Sequence, residues 1–169
     1  MVWYQSMTVS PANIRNILFV CAGNICRSPM AEWQLKALLW EKPITGMQVG
    51  SAGLIALPGN SASYHAVRVA KENSISMEEH KARLITAELI DNADLILVME
   101  SHQGHELIAD HPQASEKIFL LRHFARYGSR ERGISDPYGR NLEAYRFCFE
   151  DIKECVESLH EWLIAAREA

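Results

Sequence analysis

A cysteine, five residues, an arginine and a serine (Cys21-Ala22-Gly23-Asn24-Ile25-Cys26-Arg27-Ser28) stand between the apolar run Ile17-Leu18-Phe19-Val20 and Pro29-Met30-Ala31-Glu32. These residue types at this spacing suit one task, the closing of a loop round a single oxyanion with a thiol beneath it. The intervening backbone N–H groups can form an anion-binding nest. Arg27 adds a planar fork that holds two oxygens at once, and Ser28 adds a hydroxyl. All three favour Cys21 as a thiolate, which makes the anion site a nucleophile's site as well. Gly23 and Asn24 tolerate the positive φ a tight nest needs, and Pro29 suits the first turn of a helix whose N-terminus faces the anion. Ala22, Gly23, Asn24, Ile25, Cys26 and Ser28 are therefore read as the phosphate-binding loop around Cys21 and Arg27. The plain alternative is an inert, buried cysteine in a strand-to-helix turn. The strand before the loop, the Gly-Asn pair inside it and the Ser-Pro helix start after it are separate requirements, and all are met.

Phosphoryl transfer through a thiol needs an acid for the leaving oxygen. Ser135-Asp136-Pro137-Tyr138-Gly139 offers one, since Pro137 and Gly139 fix a turn that projects Asp136. Asp-Pro is also an ordinary turn pair, so by itself the segment leaves both readings open. Cys26, five residues from Cys21 in the same loop, is placed to trap an oxidised Cys21 as a disulfide, or else to pack the loop as a small hydrophobe.

The elements that must position these groups alternate along the chain. Strands are expected at Ile17–Val20, Gln48–Ala52, Leu95–Met99 and Ile118–Leu121. Helices are expected at Met30–Trp40, at Ser63–Asn73 behind a hydroxyl cap, from Thr86, and near Gly104–Ala109. Leu142, Tyr145, Phe149, Ile152, Val156, Leu159 and Leu163 recur three and four apart, one apolar stripe on a final helix capped by Asn141. Cys148 and Cys155 flank it as small hydrophobes. The pattern predicts an α/β fold: a single domain with an open parallel four-stranded sheet and helices on both faces. Ligands in such sheets bind beyond the carboxyl ends of the strands, where Cys21 falls. Residues 1–15 read as a flexible N-terminal tail, in which Trp3 and Tyr4 have no evident partner, and residues 16–169 read as the domain.

Composition narrows the setting. With 169 residues, 48% of them hydrophobic, one well-cored domain is expected. A net charge of −4 without a basic block argues against a nucleic-acid partner. No segment has the length of a membrane span, and no secretory signal pattern opens the chain. Four cysteines without metal-ligand spacing predict no metal, no cofactor and a cytoplasmic, reducing home.

The loop C-A-G-N-I-C-R-S-P-M-A-E, the later D-P-Y-G, and the S-A-G-L and H-K-A-R-L-I-T segments together resemble the low-molecular-weight protein tyrosine phosphatases, from about Ile17 to the end. The similarity is tightest around Cys21–Glu32, Ser51–Leu57, His80–Thr86 and Asp94–Glu100. The bacterial branch that acts beside capsule or exopolysaccharide tyrosine kinases is the most similar. The resemblance implies a phosphatase I-like fold and hydrolysis of phosphotyrosine through a phosphocysteine, with Cys21 as nucleophile, Arg27 as phosphate clamp and Asp136 as acid. It implies that Ser28 bonds the thiolate, that Asn24 holds the loop with His80 as its partner, and that Leu57 and Tyr138 wall the substrate ring. His80 would otherwise be an exposed histidine before Lys81-Ala82-Arg83. Eukaryotic members place an aromatic residue where Leu57 stands and a second tyrosine where Gly139 stands, and both departures fit the bacterial branch. The implied partner is a phosphotyrosine protein such as a tyrosine autokinase, and the implied enzyme is a monomer or weak dimer.

Three rivals share features of this pattern. Arsenate reductases of the same fold relay electrons through a second cysteine pair after the middle of the sheet, where this chain has none. A non-catalytic phosphotyrosine-binding module would lack the acid or the nucleophile. Protein-arginine phosphatases carry threonine where Ile25 stands, so the isoleucine favours phosphotyrosine.

Overall fold

The computed structural model describes residues 7–168. Four parallel strands form one sheet: β1 (Asn16–Cys21), β2 (Gln48–Gly53), β3 (Leu95–Val98) and β4 (Ile118–Leu120), in the order β2-β1-β3-β4. Between and after them lie α1 (Arg27–Glu41), α2 (Tyr64–Glu72), α3 (Ala87–Asn92), α4 (Ser101–Asp110) and α5 (Leu142–Glu168). Alternate strand residues face opposite ways, and both faces are covered. Ile17, Phe19, Leu95 and Leu97 pack with Met30, Val69, Phe149 and Ile152 from α1, α2 and α5. Leu18, Val20, Ile96 and Val98 pack with Ile90 and Leu107 from α3 and α4. This is why β1 and β3 read as unbroken apolar runs. The chain leaves β1 toward β2 on one side and later returns to β3 on the other, so the end of β1 is the point where the winding reverses.

Local signals set the helix starts. Ser63 Oγ accepts from Ala66 N at 3.4 Å, Thr86 Oγ1 from Leu89 N at 3.2 Å, and Asn141 Oδ1 from Ala144 N at 3.0 Å. The apolar stripe of α5 is core, with Tyr145, Phe149, Ile152, Val156, Leu159 and Leu163 all buried. One expectation is corrected: α1 begins at Arg27 rather than Met30, so the arginine and serine of the loop are themselves in the first helical turn. The described residues before β1 pack on the domain. Pro11–Asn13 form a 3₁₀ turn, Ile14 is fully buried, and Met7 and Val9 lie against the core. Arg167, near the end of α5, donates to Pro11 O at 2.9 Å and Ile14 O at 2.6 Å, while Asp94 Oδ2 accepts from Arg15 N and Asn16 N. The chain is thus pinned before β1 starts. Trp3 and Tyr4 lie outside the described residues.

Truncating a fully buried isoleucine costs about 2–5 kcal/mol. Ile14→Ala is expected to lose that much in denaturant unfolding. A loss within about 0.5 kcal/mol, typical of surface positions, would return residues 7–15 to the status of a tail.

Candidate active site

Residues 22–26 curl between the end of β1 and the start of α1, and one of them takes a left-handed backbone. Asn24 has φ of 55°, whereas Gly23 is not in the positive-φ region, so the turn expected of the Gly-Asn pair falls on the asparagine alone. Asn24 is fully buried, and its polar groups are engaged on every side. Its Nδ2 donates to Ser28 Oγ and to Ser51 Oγ, both at 2.8 Å. Its Oδ1 accepts from Arg83 N at 3.0 Å, and its carbonyl lies 2.8 Å from His80 Nε2. Ser51 in turn donates to Glu32 Oε1 at 2.6 Å, and Glu32 pairs with Lys36. Because Ser28 Oγ accepts from Asn24, its own hydrogen is free for Cys21 Sγ, 2.9 Å away. A thiolate at Cys21 would accept that bond.

His80 is only 5% exposed, which excludes the reading of a solvated histidine beside a basic run. Burial is the largest influence on it and lowers its pKa from the usual value, although the bond to Asn24 pulls the other way. The neutral ring, donating from Nε2 to the Asn24 carbonyl, fits the site. Gly53 marks a second constraint. A Cβ there would stand 2.6 Å from Ala22 O and 2.9 Å from Asn24 N, so the loop closes against a bare backbone.

The arginine is gripped from below. Arg27 is 2% exposed; Nη1 donates to Glu100 Oε1 at 2.5 Å and to Ile134 O at 2.7 Å, and Nη2 lies 3.4 Å from Asp136 Oδ2. Glu100 closes β3 and caps α4 in a reciprocal box with Gln103, and its other oxygen faces His102 Nδ1 at 3.1 Å. The acid segment docks on the same strand end. Ile134 N donates to Met99 O at 2.8 Å, and Gly133 runs so close to Met99 and Glu100 that a Cβ would crowd both. Asp136 emerges from that contact half-exposed, its Oδ1 accepting from Tyr138 N at 3.1 Å in a turn completed by Gly139 at φ 77°. Upstream, buried Arg122 holds the carbonyls of Tyr127 and Ser129 and reaches Asp151 Oδ1 on α5 at 3.4 Å.

A cavity of about 310 Å³ opens over these groups. Cys21, Ala22, Gly23, Ile25, Cys26 and Arg27 line it, Asp136 stands at its side, and Ile55, Leu57, Asn60 and Tyr138 form the mouth. The expected ring walls, Leu57 and Tyr138, are thus brought together, each about two-thirds exposed. The Cys26 thiol donates to Ser63 Oγ at 3.3 Å and lies 3.3 Å from Tyr145 OH, and burial pushes its pKa up. Burial also raises Cys148, and Cys155 to about 12; all four thiols are free. Sequence reasoning missed Glu32, Ser51, Gly53, Ile55, Asn60, Glu100 and Arg122. Only Glu100 left a local trace, the capping-box spacing to Gln103. Among the described residues no cluster of three or more His, Cys, Asp or Glu is gathered as a metal ion requires.

The arrangement can seat a dianion above a sulfur, with a buried cation beside it and a carboxylate over the leaving-group side. Its pH response follows from His80. The folded pKa lies below the ordinary value of about 6.5, so the unfolded chain takes up the proton first on acidification. The stabilisation is complete above about pH 6.5 and is lost as pH falls through the lower folded value. Thermal melts from pH 7.5 to 5 should show a falling midpoint whose slope shrinks in His80→Gln. Equal slopes in the two proteins would remove His80 from this role.

Comparison with known proteins agrees with this geometry. The family described as low molecular weight phosphotyrosine protein phosphatase matches residues 16–168. A probable low molecular weight protein-tyrosine-phosphatase, EpsP of Ralstonia nicotianae, is 38% identical over 86% of this chain and 93% of its own. The YwlE arginine phosphatase of Geobacillus stearothermophilus superposes with a TM-score of 0.82 at 35% identity, covering 91% of this chain and 96% of that one. Vibrio vulnificus Wzb, solved in complex with benzylphosphonate, does so with a TM-score of 0.76 at 34% identity, covering 93% and 100%. With its cysteine, arginine and carboxylate gathered at one strand end, the chain belongs to the low molecular weight phosphotyrosine protein phosphatase family.

Proposed function

We propose that this protein hydrolyses phosphotyrosine in proteins through a phosphocysteine. The observation that carries the reading is the contact of Ser28 Oγ with Cys21 Sγ at 2.9 Å, at a cavity that Arg27 and Asp136 also line. Cys21 attacks phosphorus as a thiolate, the bond from phosphorus to the phenol oxygen breaks, and Asp136 supplies the proton the leaving oxygen needs. Water then attacks phosphorus, Asp136 takes its proton, the phosphorus–sulfur bond breaks, and inorganic phosphate leaves with the thiolate restored. Arg27 and the loop amides hold the three equatorial oxygens. Donors aimed at developing charge contribute on the order of 3 kcal/mol each, so the loop supplies most of the transition-state stabilisation.

Substrate class is read from the mouth. Ile25, Ile55, Leu57 and Tyr138 present apolar and aromatic surface suited to a phenyl ring. Wzb, which shares the fold, takes a benzylphosphonate, and this supports an aryl phosphate here. The resemblance to the exopolysaccharide branch favours a tyrosine autokinase, or a protein of the same pathway, as the physiological substrate. No helix among the described residues is long and apolar enough to cross a membrane, and the free thiols suit a reducing cytoplasm. The similarity to an arginine phosphatase motivates a second reading, phosphoarginine hydrolysis at the same site. Against it, Ile25 offers a guanidinium no acceptor.

With p-nitrophenyl phosphate, Cys21→Ser is expected to abolish turnover, and Asp136→Ala to lower kcat by about 10²–10⁴-fold while phosphate still binds. EDTA should leave the wild-type rate unchanged. Turnover by the serine variant, or loss of rate to EDTA, would reject the mechanism. Between peptides, kcat/KM should favour phosphotyrosine over phosphoarginine, and the reverse order would select the second reading.

A further inference from the structure

Behind the loop, on the side away from the cavity mouth, lies a small buried polar cluster that the proposed chemistry does not use. Cys26 is the residue that caps α1, yet its side chain makes no capping bond, and its backbone, at φ −124° and ψ −85°, lies outside the extended region usual for a cap. Something other than the helix must hold it. Ser63 holds this end of the loop twice: Ser63 N donates to Ile25 O at 2.8 Å, and Ser63 Oγ accepts from the Cys26 thiol at 3.3 Å. Tyr145 holds it a third time, its hydroxyl 3.3 Å from the same sulfur.

We propose that Tyr145 and Ser63 are positioning residues that fix the anion affinity of the loop by clasping the Cys26 thiol. The inference rests on the phosphatase reading above. Tyr145 is 3% exposed in the core of the domain, and its ring stands edge-on to His65 at 5.3 Å, so the phenol cannot swing away. Burial raises both the phenol and the Cys26 thiol, so both keep their protons. With the thiol hydrogen committed to Ser63, the sulfur's lone pairs remain for the Tyr145 hydroxyl. Ser63 Oγ and the Tyr145 hydroxyl thus grip the one sulfur from two helices. Ile25 and Cys26 are the last loop residues before the clamp, so a shift there moves two anion-facing amides and Arg27 together. Ser63 and Tyr145 begin or lie early in α2 and α5, which makes those helices part of the phosphate site without touching phosphate.

The test is Tyr145→Phe, which removes one oxygen and keeps the ring. Measurements are KM and kcat for p-nitrophenyl phosphate and the inhibition constant of inorganic phosphate, all well below the melting midpoint. Both KM and the inhibition constant should rise about fivefold, the worth of one hydrogen bond, with kcat changed by less than about twofold. Ser63→Ala should act alike and Ser63→Thr should restore wild-type values. Phe149→Leu loosens the same helix one turn further on, at a side chain with no polar group to offer the thiol, and should leave both constants unchanged. Wild-type constants in Tyr145→Phe, or an equal rise in Phe149→Leu, would overturn the clasp while leaving the phosphatase reading intact. A wild-type protein that neither turns over substrate nor binds phosphate would overturn that reading, and the clasp with it.

Discussion

The site depends on one left-handed residue being made affordable. A short loop can turn its amides inward over an anion only if its backbone reverses, and here the reversal falls on Asn24 at φ 55°. A non-glycine residue in that region is strained, and a buried amide without partners would cost more still. Asn24 meets both costs with one set of bonds, to Ser28, Ser51, Arg83 and His80. The bond to Ser28 also places its hydroxyl oxygen beside Cys21 Sγ. Conformational support of the loop and the placing of a hydroxyl beside the sulfur therefore share one residue. A partly satisfied version would be worse than none, since buried polar networks reward completeness.

Around that knot, α5 acts as a common wall. Tyr145 reaches the loop through Cys26, and six residues on, Asp151 reaches Arg122, which fixes the carbonyls of the segment leading to Asp136. Further on, Arg167 ties down the residues entering β1. The strand that delivers the thiol, the loop that curls over the cavity and the turn that carries the carboxylate thus lean on one helix. Its unusual length of 27 residues is what the span between those three contacts requires.

What could be read from the sequence was whatever is written locally. The apolar runs of β1 and β3, the caps at Ser63, Thr86 and Asn141 and the three-four stripe of α5 each carry their signal within a few residues, and each lies where its pattern put it. The loop and its acid were legible because a thiol, a guanidinium and a carboxylate have few other reasons for those spacings. Hidden from view were residues whose role is conferred by a distant partner. Ser51 and Glu32 matter through Asn24, Glu100 through Arg27, Arg122 through a loop it does not adjoin, and Gly53 through a carbonyl of the anion loop's first residue. Ile14 reads as one apolar residue in a polar stretch, and its anchor is more than 150 positions away. The start of α1 was misplaced because a helix opening inside a loop has no conventional cap to announce it.

The Arg27 guanidinium is bonded to Glu100 and to a main-chain carbonyl, with Asp136 beside it. An oxyanion arriving at the loop does not meet a bare cation; it exchanges with, or shares, a partnership already made. Its affinity is then a difference between two ion pairs and not the whole of one, which caps how tightly a product can be held and keeps departure quick. A catalyst that must release inorganic phosphate at every turnover is well served by a cation that already has partners.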